Sequence, residues 1–228
     1  MTHEASKTRA VRGKDFDGTY LSGRVIDIGC GPDLVVPHAE PFDLDHGDAQ
    51  QIGMLRPNLA YDTVYSSHCL EHMKDVPAAL SQWWALVKRG GFLILVVPDE
   101  DLYEQGGWPS LFNRDHKATF RIGKDTTWSP VSYDIAALVR NLDAAEIISC
   151  TRQDARYDRS LMKTRLSAVD RCLFQMQRLT KALFRRLGNV GAFLGGLSSK
   201  AFVSLGTPVD QTAGSALAQI QIVVRKRV

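Results

Sequence analysis

No two cysteines of this chain are spaced to grip a metal together. Cys30, Cys69, Cys150 and Cys172 lie far apart, and none forms a Cys-x-x-Cys unit. That argues against a zinc site and a disulfide framework, and it suits a reducing compartment, so a cytoplasmic location is expected. No other metal-ligand cluster is visible, and no metal is expected. No apolar run approaches the ~18 residues of a membrane-spanning helix. Residues 1–18 are polar and charged without an apolar core, so no secretory signal is expected, and the first dozen read as a loose tail. Neither sign of charge is in excess: 28 Lys and Arg stand against 25 Asp and Glu. A balance of +3 is too mild to argue for nucleic acid. There is no internal repeat.

What is present is a globular composition, 44% hydrophobic and 23% charged over 228 residues. That suits one α/β domain with elaborations. Val25-Ile26-Asp27-Ile28 runs into Gly29-Cys30-Gly31, which reads as a buried strand ending in a tight glycine turn. Glycines there let backbone approach a ligand closely. Further strands are expected over 42–45, 61–66, 92–97, 145–151 and 216–227. Helices are expected at 75–87, 132–142 and 159–187, with a short one at 50–55 and a break at 188–196. Pro32 and Pro37 keep the segment after the glycine turn short or broken. Strands alternating with helices predict a doubly wound, mainly parallel sheet in a single domain, 1–228, with a loop insertion at 99–129 and a helical insertion at 159–205.

In such sheets ligands bind at the carboxyl ends of the strands. Asp27, Gly29, Cys30 and Gly31 sit at the first strand end, Asp43 and Asp45 at the second, and Ser66, Ser67 and His68 at the next. A carboxylate at the second strand end can accept both hydroxyls of a ribose. Asp48 and Ala49 can meet an adenine. Leu34 stands where Gly-x-Gly-x-x-Gly needs its third glycine, which weakens a nicotinamide-dinucleotide reading.

Five stretches in order carry a resemblance: 25–32 (Val-Ile-Asp-Ile-Gly-Cys-Gly-Pro), Gly47-Asp48-Ala49, Tyr61-Asp62-Thr63-Val64, Leu70-Glu71-His72-Met73 and the run from Gly90 to Pro98. Together they resemble the class I S-adenosylmethionine (SAM)-dependent methyltransferases, of the group that includes the ubiquinone and menaquinone methyltransferases. The resemblance implies a Rossmann-like sheet of seven strands, the last antiparallel, and SAM as cofactor with S-adenosylhomocysteine (SAH) as product. It implies that Asp27 holds the glycine loop and that Glu71-His72 joins a strand end to the next helix. The chain departs from the pattern between Gly31 and Asp43, which is too short and proline-rich for a full helix. Either Asp43 or Asp45 can hold the ribose; Asp43 is slightly favoured, because Asp45 is free to cap the following turn.

Methyl transfer needs an oriented nucleophile and exclusion of water, and a base only for some acceptors. His68 and His116 are the candidate catalytic residues. His116 lies among Asp115, Lys117, Tyr103, Trp108, Phe112 and Phe120, which can wall and grip an acceptor. Met162, Leu166, Val169, Leu173, Met176, Leu183 and Leu187 form an apolar stripe on a basic helix. It suits packing on the domain, a homodimer through 159–187, or peripheral contact with an anionic membrane. The expected acceptor is a small or lipid-linked molecule, and no nucleic-acid partner is expected. The competing reading is a catalytically silent SAM-fold binding or regulatory protein.

Overall fold

The computed structural model describes residues 4–228; the first three residues of the expected tail lie outside it. From residue 4 onward that tail is not loose. It begins with α1 (Glu4–Arg9), whose Ala5 and Thr8 are buried. Ser6 is held by Asp33, its backbone N–H donating to Oδ2 at 2.8 Å. A short α2 (Phe16–Tyr20) follows.

The central strands are β1 (Val25–Ile28), β2 (Glu40–Phe42), β3 (Tyr61–Ser67) and β4 (Val87–Pro98). β1 is buried at every position, as its apolar run requires. α3 (Val76–Leu86) lies between β3 and β4; its N-cap, Asp75, accepts from the Ala78 N–H at 3.0 Å. After β4 come α4 (Glu100–Glu104), then β5 (Thr119–Arg121) and β6 (Ser132–Asp134), a parallel pair of their own. The chain closes with α5 (Ile135–Arg140), β7 (Ala145–Gln153), α6 (Ala168–Arg185), α7 (Gly188–Ser204) and β8 (Gln219–Lys226).

The main sheet has the order β2-β1-β3-β4-β8-β7. The first four strands are mutually parallel, and β8 runs antiparallel between β4 and β7. The expected mainly parallel, doubly wound architecture is therefore present, with an antiparallel final strand, but it has six strands and not seven. Between β2 and β3 the chain folds into two short 3-10 turns (Leu44–His46 and Ala49–Met54), leaving no residues for a further strand. One face of the sheet packs on α3 and α5 through Trp83, Leu80, Ile135 and Ile222. The other buries Leu21, Val35, Tyr65, Ile94 and Val223.

Several expected elements differ. The strand expected over 42–45 lies at Glu40–Phe42, because Asp43 caps the turn at Leu44–His46. The helix expected from 132 starts at Ile135, because Ser132–Asp134 pairs with β5 and Asp134 caps α5. The helix expected from 159 starts at Ala168, where Ser167 and Asp170 form a reciprocal capping box. The expected break at 188–196 is helical: α7 folds back on α6, and a side chain at Gly191 would strike the Phe184 carbonyl. The glycines there permit close helix approach and do not end the helix.

Candidate active site

The ends of β1, β2 and β3 open into two adjoining cavities of about 260 and 290 Å³. Gly29, Asp43 and His68 line both, so the two form one crevice. Together they fall in the range of small-molecule sites, roughly 300–1,000 Å³.

The glycine turn is built for this. Gly29 and Gly31 have φ of +75° and +52°. A Cβ on Gly29 would lie 2.5 Å from Cys69 Cβ, so this glycine lets the turn close over the loop after β3. A Cβ on Gly31 would meet nothing nearer than Asp43 Oδ2 at 4.0 Å, so this glycine borders the open crevice. Asp27 is buried beneath, and its Oδ2 accepts from the Val35 N–H at 2.7 Å, tying down the following loop. Burial pushes its carboxyl up to about 7, against the lowering effects of that hydrogen bond and of Arg12. Cys30 lines the first cavity, and burial raises its thiol to about 11, so it stays protonated.

Asp43 lies at the centre. Its Oδ2 accepts from the Gly31 N–H at 2.6 Å and its Oδ1 from the Leu44 N–H at 2.7 Å. These bonds fix the carboxylate between the two cavities. Asp45 lines neither; it sits exposed in the first turn of the 44–46 segment, because Asp43, not Asp45, caps that turn. Asp48 and Ala49 line the second cavity. Asp48 Oδ1 accepts from the Gln50 N–H, and the Ala49 carbonyl accepts from buried Trp83 Nε1 at 2.9 Å.

At the end of β3 the side chains divide. Ser66 is buried, donates to the Ile28 carbonyl at 2.9 Å and lines neither cavity; it joins β1 to β3. Ser67 lines the first cavity, and its buried hydroxyl has no hydrogen-bond partner. His68, at φ +53°, touches the crevice and a third cavity of about 280 Å³. Its Nε2 lies 3.0 Å from Gln219 Oε1, and its Nδ1 3.5 Å from Glu71 Oε1. Burial lowers its pKa, but Glu71 and Glu4 more than offset this and raise it to about 9. At neutral pH His68 is therefore a cation and a donor, not a ready base.

The third cavity carries His116, which is 6% exposed. Its Nδ1 lies 2.7 Å from Glu104 Oε1, and its ring stacks near Tyr103 at 5.1 Å. Tyr103 and Phe112 wall this cavity, as expected of them. Phe120 does not; it is in the core on β5. Lys117 does not reach the cavity either: it donates to the His72 carbonyl at 2.8 Å. The sequence reading passed over two buried acids here, Glu71 and Glu104. Glu71 was visible only as part of Leu-Glu-His, and Glu104 had no local signal, since its partner lies twelve residues on.

A family model described as a methyltransferase domain matches residues 9–128, which include the glycine turn, Asp43, Asp48 and His116. The chain belongs to this methyltransferase family. Among solved structures it is similar to a SAM-dependent methyltransferase from Archaeoglobus fulgidus, at 13% identity over 99% of this chain and 95% of that one, with a TM-score of 0.53. It is also similar to the YcgJ protein of Bacillus subtilis, at 17% identity over 92% and 94% with a TM-score of 0.47. A third is a possible histamine N-methyltransferase from Thermotoga maritima, at 13% identity over 99% and 88% with a TM-score of 0.47. No curated protein matches the sequence. At these identities the first likeness speaks to the fold, and the other two are too loose to argue from.

The methyltransferase is thus of the class I, SAM-dependent type that its motifs resemble, and nothing selects the ubiquinone group within it. The crevice fits the expected cofactor. Bare backbone at Gly31, a fixed carboxylate at Asp43 and an unpaired buried hydroxyl at Ser67 are what an adenosyl amino acid needs beside it. Among the described residues no helix is long and apolar enough to cross a membrane.

Proposed function

We propose that this methyltransferase moves the methyl group of SAM to a small-molecule or lipid-linked acceptor that enters through the third cavity. The observation that carries this reading is the junction at His68, which lines all three cavities. A ligand in the crevice and a ligand in the third cavity would meet there.

Bound SAM supplies a sulfonium-activated methyl group. Asp43 would hold the ribose hydroxyls, and Asp48 and Ala49 would border the adenine. Gly29, Cys30 and Gly31 would give the amino-acid end its backbone floor. Cationic His68, seated against Glu71 and Gln219, would donate to a carboxylate or an acceptor oxygen. Tyr103 and Phe112 would keep water from the acceptor. α1 supplies Glu4 and Ala5 to the crevice rim and so helps cover it.

The stripe on α6 supports an acceptor or partner met at a surface. Val169, Met176, Leu183 and Leu187 are half to two-thirds exposed, so they do not pack on the domain. Phe193 and Leu197 of α7 continue the apolar surface, and Arg178, Lys181, Arg185 and Arg186 flank it. Such a surface suits a second copy of the chain or an anionic bilayer.

Isothermal titration with SAM and SAH tests the cofactor assignment. Folded protein that binds neither would overturn it. Tritiated SAM offered to lipid and small-molecule fractions tests the acceptor class: label in a lipid or small-molecule product supports it. Label found only in nucleic acid or protein would reject it.

A further inference from the structure

We propose that Glu71, His72 and His116 form a binding site for a divalent transition-metal ion of the zinc type, set in the wall of the acceptor cavity. The three residues offer one ligand atom each, all within 4.8 Å of one another. They come from two distant segments, the turn after β3 and the loop before β5, so the cluster exists only in the folded chain.

Three independent features point to a cation. The first is Glu71. It is 1% exposed, and neither of its carboxylate oxygens has a hydrogen-bond partner. Its nearest cation is the His68 ring, 3.5 Å from Oε1 without a hydrogen bond, so both buried oxygens keep lone pairs that a donor or a metal ion would satisfy. The second is the spacing around it. His116 Nε2 lies 3.9 Å and His72 Nε2 4.0 Å from Glu71 Oε1. Those distances are too long for hydrogen bonds. They are slightly wider than the separation of about 3.3 Å between neighbouring ligands on a tetrahedral zinc with bonds near 2.0 Å. Side-chain rotations that draw the three ligand atoms together by roughly 0.6–1.5 Å close the difference.

The third feature is the orientation of both rings. His116 Nδ1 lies 2.7 Å from Glu104 Oε1, and His72 Nδ1 lies 2.9 Å from Asp115 Oδ2. His116 Nδ1 is thus hydrogen-bonded to a carboxylate and His72 Nδ1 to the Asp115 carbonyl at 3.3 Å, which leaves each Nε2 as the lone-pair nitrogen facing Glu71. Metal-ligating histidines almost always have this second carboxylate or carbonyl partner. Here both histidines have it. Tyr103, at 5.1 Å from the His116 ring, packs that side chain in place.

Two histidines and one carboxylate leave coordination positions open, the pattern of sites that bind an exchangeable ligand. The open side borders the cavity shared with His68, Asn113 and Thr212. An oxygen donor of the acceptor would fill it. The location of the acceptor rests on the methyltransferase reading; the metal site itself does not.

The test uses the full chain after chelator treatment. Co²⁺ titration, followed by its visible absorption, is expected to show one ion per chain, displaced by one Zn²⁺. Glu71→Gln and His116→Gln are expected to weaken binding at least 100-fold. Asp115→Asn, at a residue 70% exposed and harmless to folding, is expected to weaken it roughly 10-fold. SAH affinity is measured separately by calorimetry and is expected to stay within about threefold in each variant. That keeps failure of the metal site distinct from failure of the cofactor assignment. Absence of stoichiometric Co²⁺ binding at 100 μM, roughly the upper limit for a useful site, would overturn the proposal. So would wild-type affinity in Asp115→Asn together with either ligand variant that folds.

Discussion

Asp43 Oδ2 and the Gly31 N–H are joined by a 2.6 Å hydrogen bond across the mouth of the crevice. The bond fastens the glycine turn of β1 to the end of β2 and aims one carboxylate at both cavities. Because Asp45 points elsewhere, the two acids separate by experiment. Asp43→Ala is expected to weaken SAH binding 10- to 100-fold, the worth of one or two charge-assisted hydrogen bonds. Asp45→Ala should change it less than twofold. Calorimetry giving the opposite ranking would remove Asp43 from the ribose.

The two glycines of the turn should fail differently. Gly29→Val forces a β-branched residue into φ +75° and drives its Cβ into Cys69. A stability loss of roughly 3 kcal/mol or more and a Tm drop of about 6–12 °C are expected. Gly31→Ala meets open space, so it should cost only about 1 kcal/mol in stability while lowering SAH affinity at least fivefold. Equal Tm values for the two variants in scanning fluorimetry would contradict this division.

Asp27 makes a pH prediction. Its folded pKa, about 7, lies above the unfolded value of 3.8. The protonated form therefore stabilises the fold fully below about pH 4, and that contribution is lost as pH rises towards 7. The loss is at most roughly 4 kcal/mol. Asp27→Asn keeps an oxygen for the Val35 N–H but cannot ionise. Urea unfolding at pH 4.5 and pH 7.5 should show the wild type losing ground to Asp27→Asn between the two. A constant difference would refute the raised pKa.

The helical hairpin yields a surface prediction. Val169 and Leu183 are 66% and 62% exposed. Val169→Glu with Leu183→Glu should leave Tm within about 2 °C, as exposed substitutions do. The same pair should reduce either the mass seen by light scattering or co-sedimentation with anionic vesicles. If neither property changes, the stripe is no contact surface.

His116 bears on turnover. His116→Ala is expected to reduce methyl transfer at least tenfold, about 1.4 kcal/mol, with SAH affinity unchanged. Full activity in that variant would take the third cavity out of the acceptor path.

The crevice at the ends of the first strands was legible because local sequence dictates it. A strand feeding Gly29-Cys30-Gly31 must make a tight turn, and an acid one strand away must lie beside it once the strands pair in parallel. Strand and helix types were legible through periodicity, yet their edges moved. Strand pairing pulled 132–134 out of a helix, and a capping box at Ser167 delayed α6. Gly188 to Gly196 misled because the residue that breaks a lone helix also lets two helices touch.

What the sequence determined alone was the order of apolar strands and glycine turns, and with it the methyltransferase sheet, since neighbouring residues carry both signals. Tertiary structure decided the rest: six strands and not seven, an N-terminal helix seated on the crevice, Asp43 lining that crevice while Asp45 faces solvent, and a buried carboxylate ringed by histidines. Burial and charge pairing between segments dozens of residues apart set those outcomes. No local pattern records which distant side chains share a low-dielectric space.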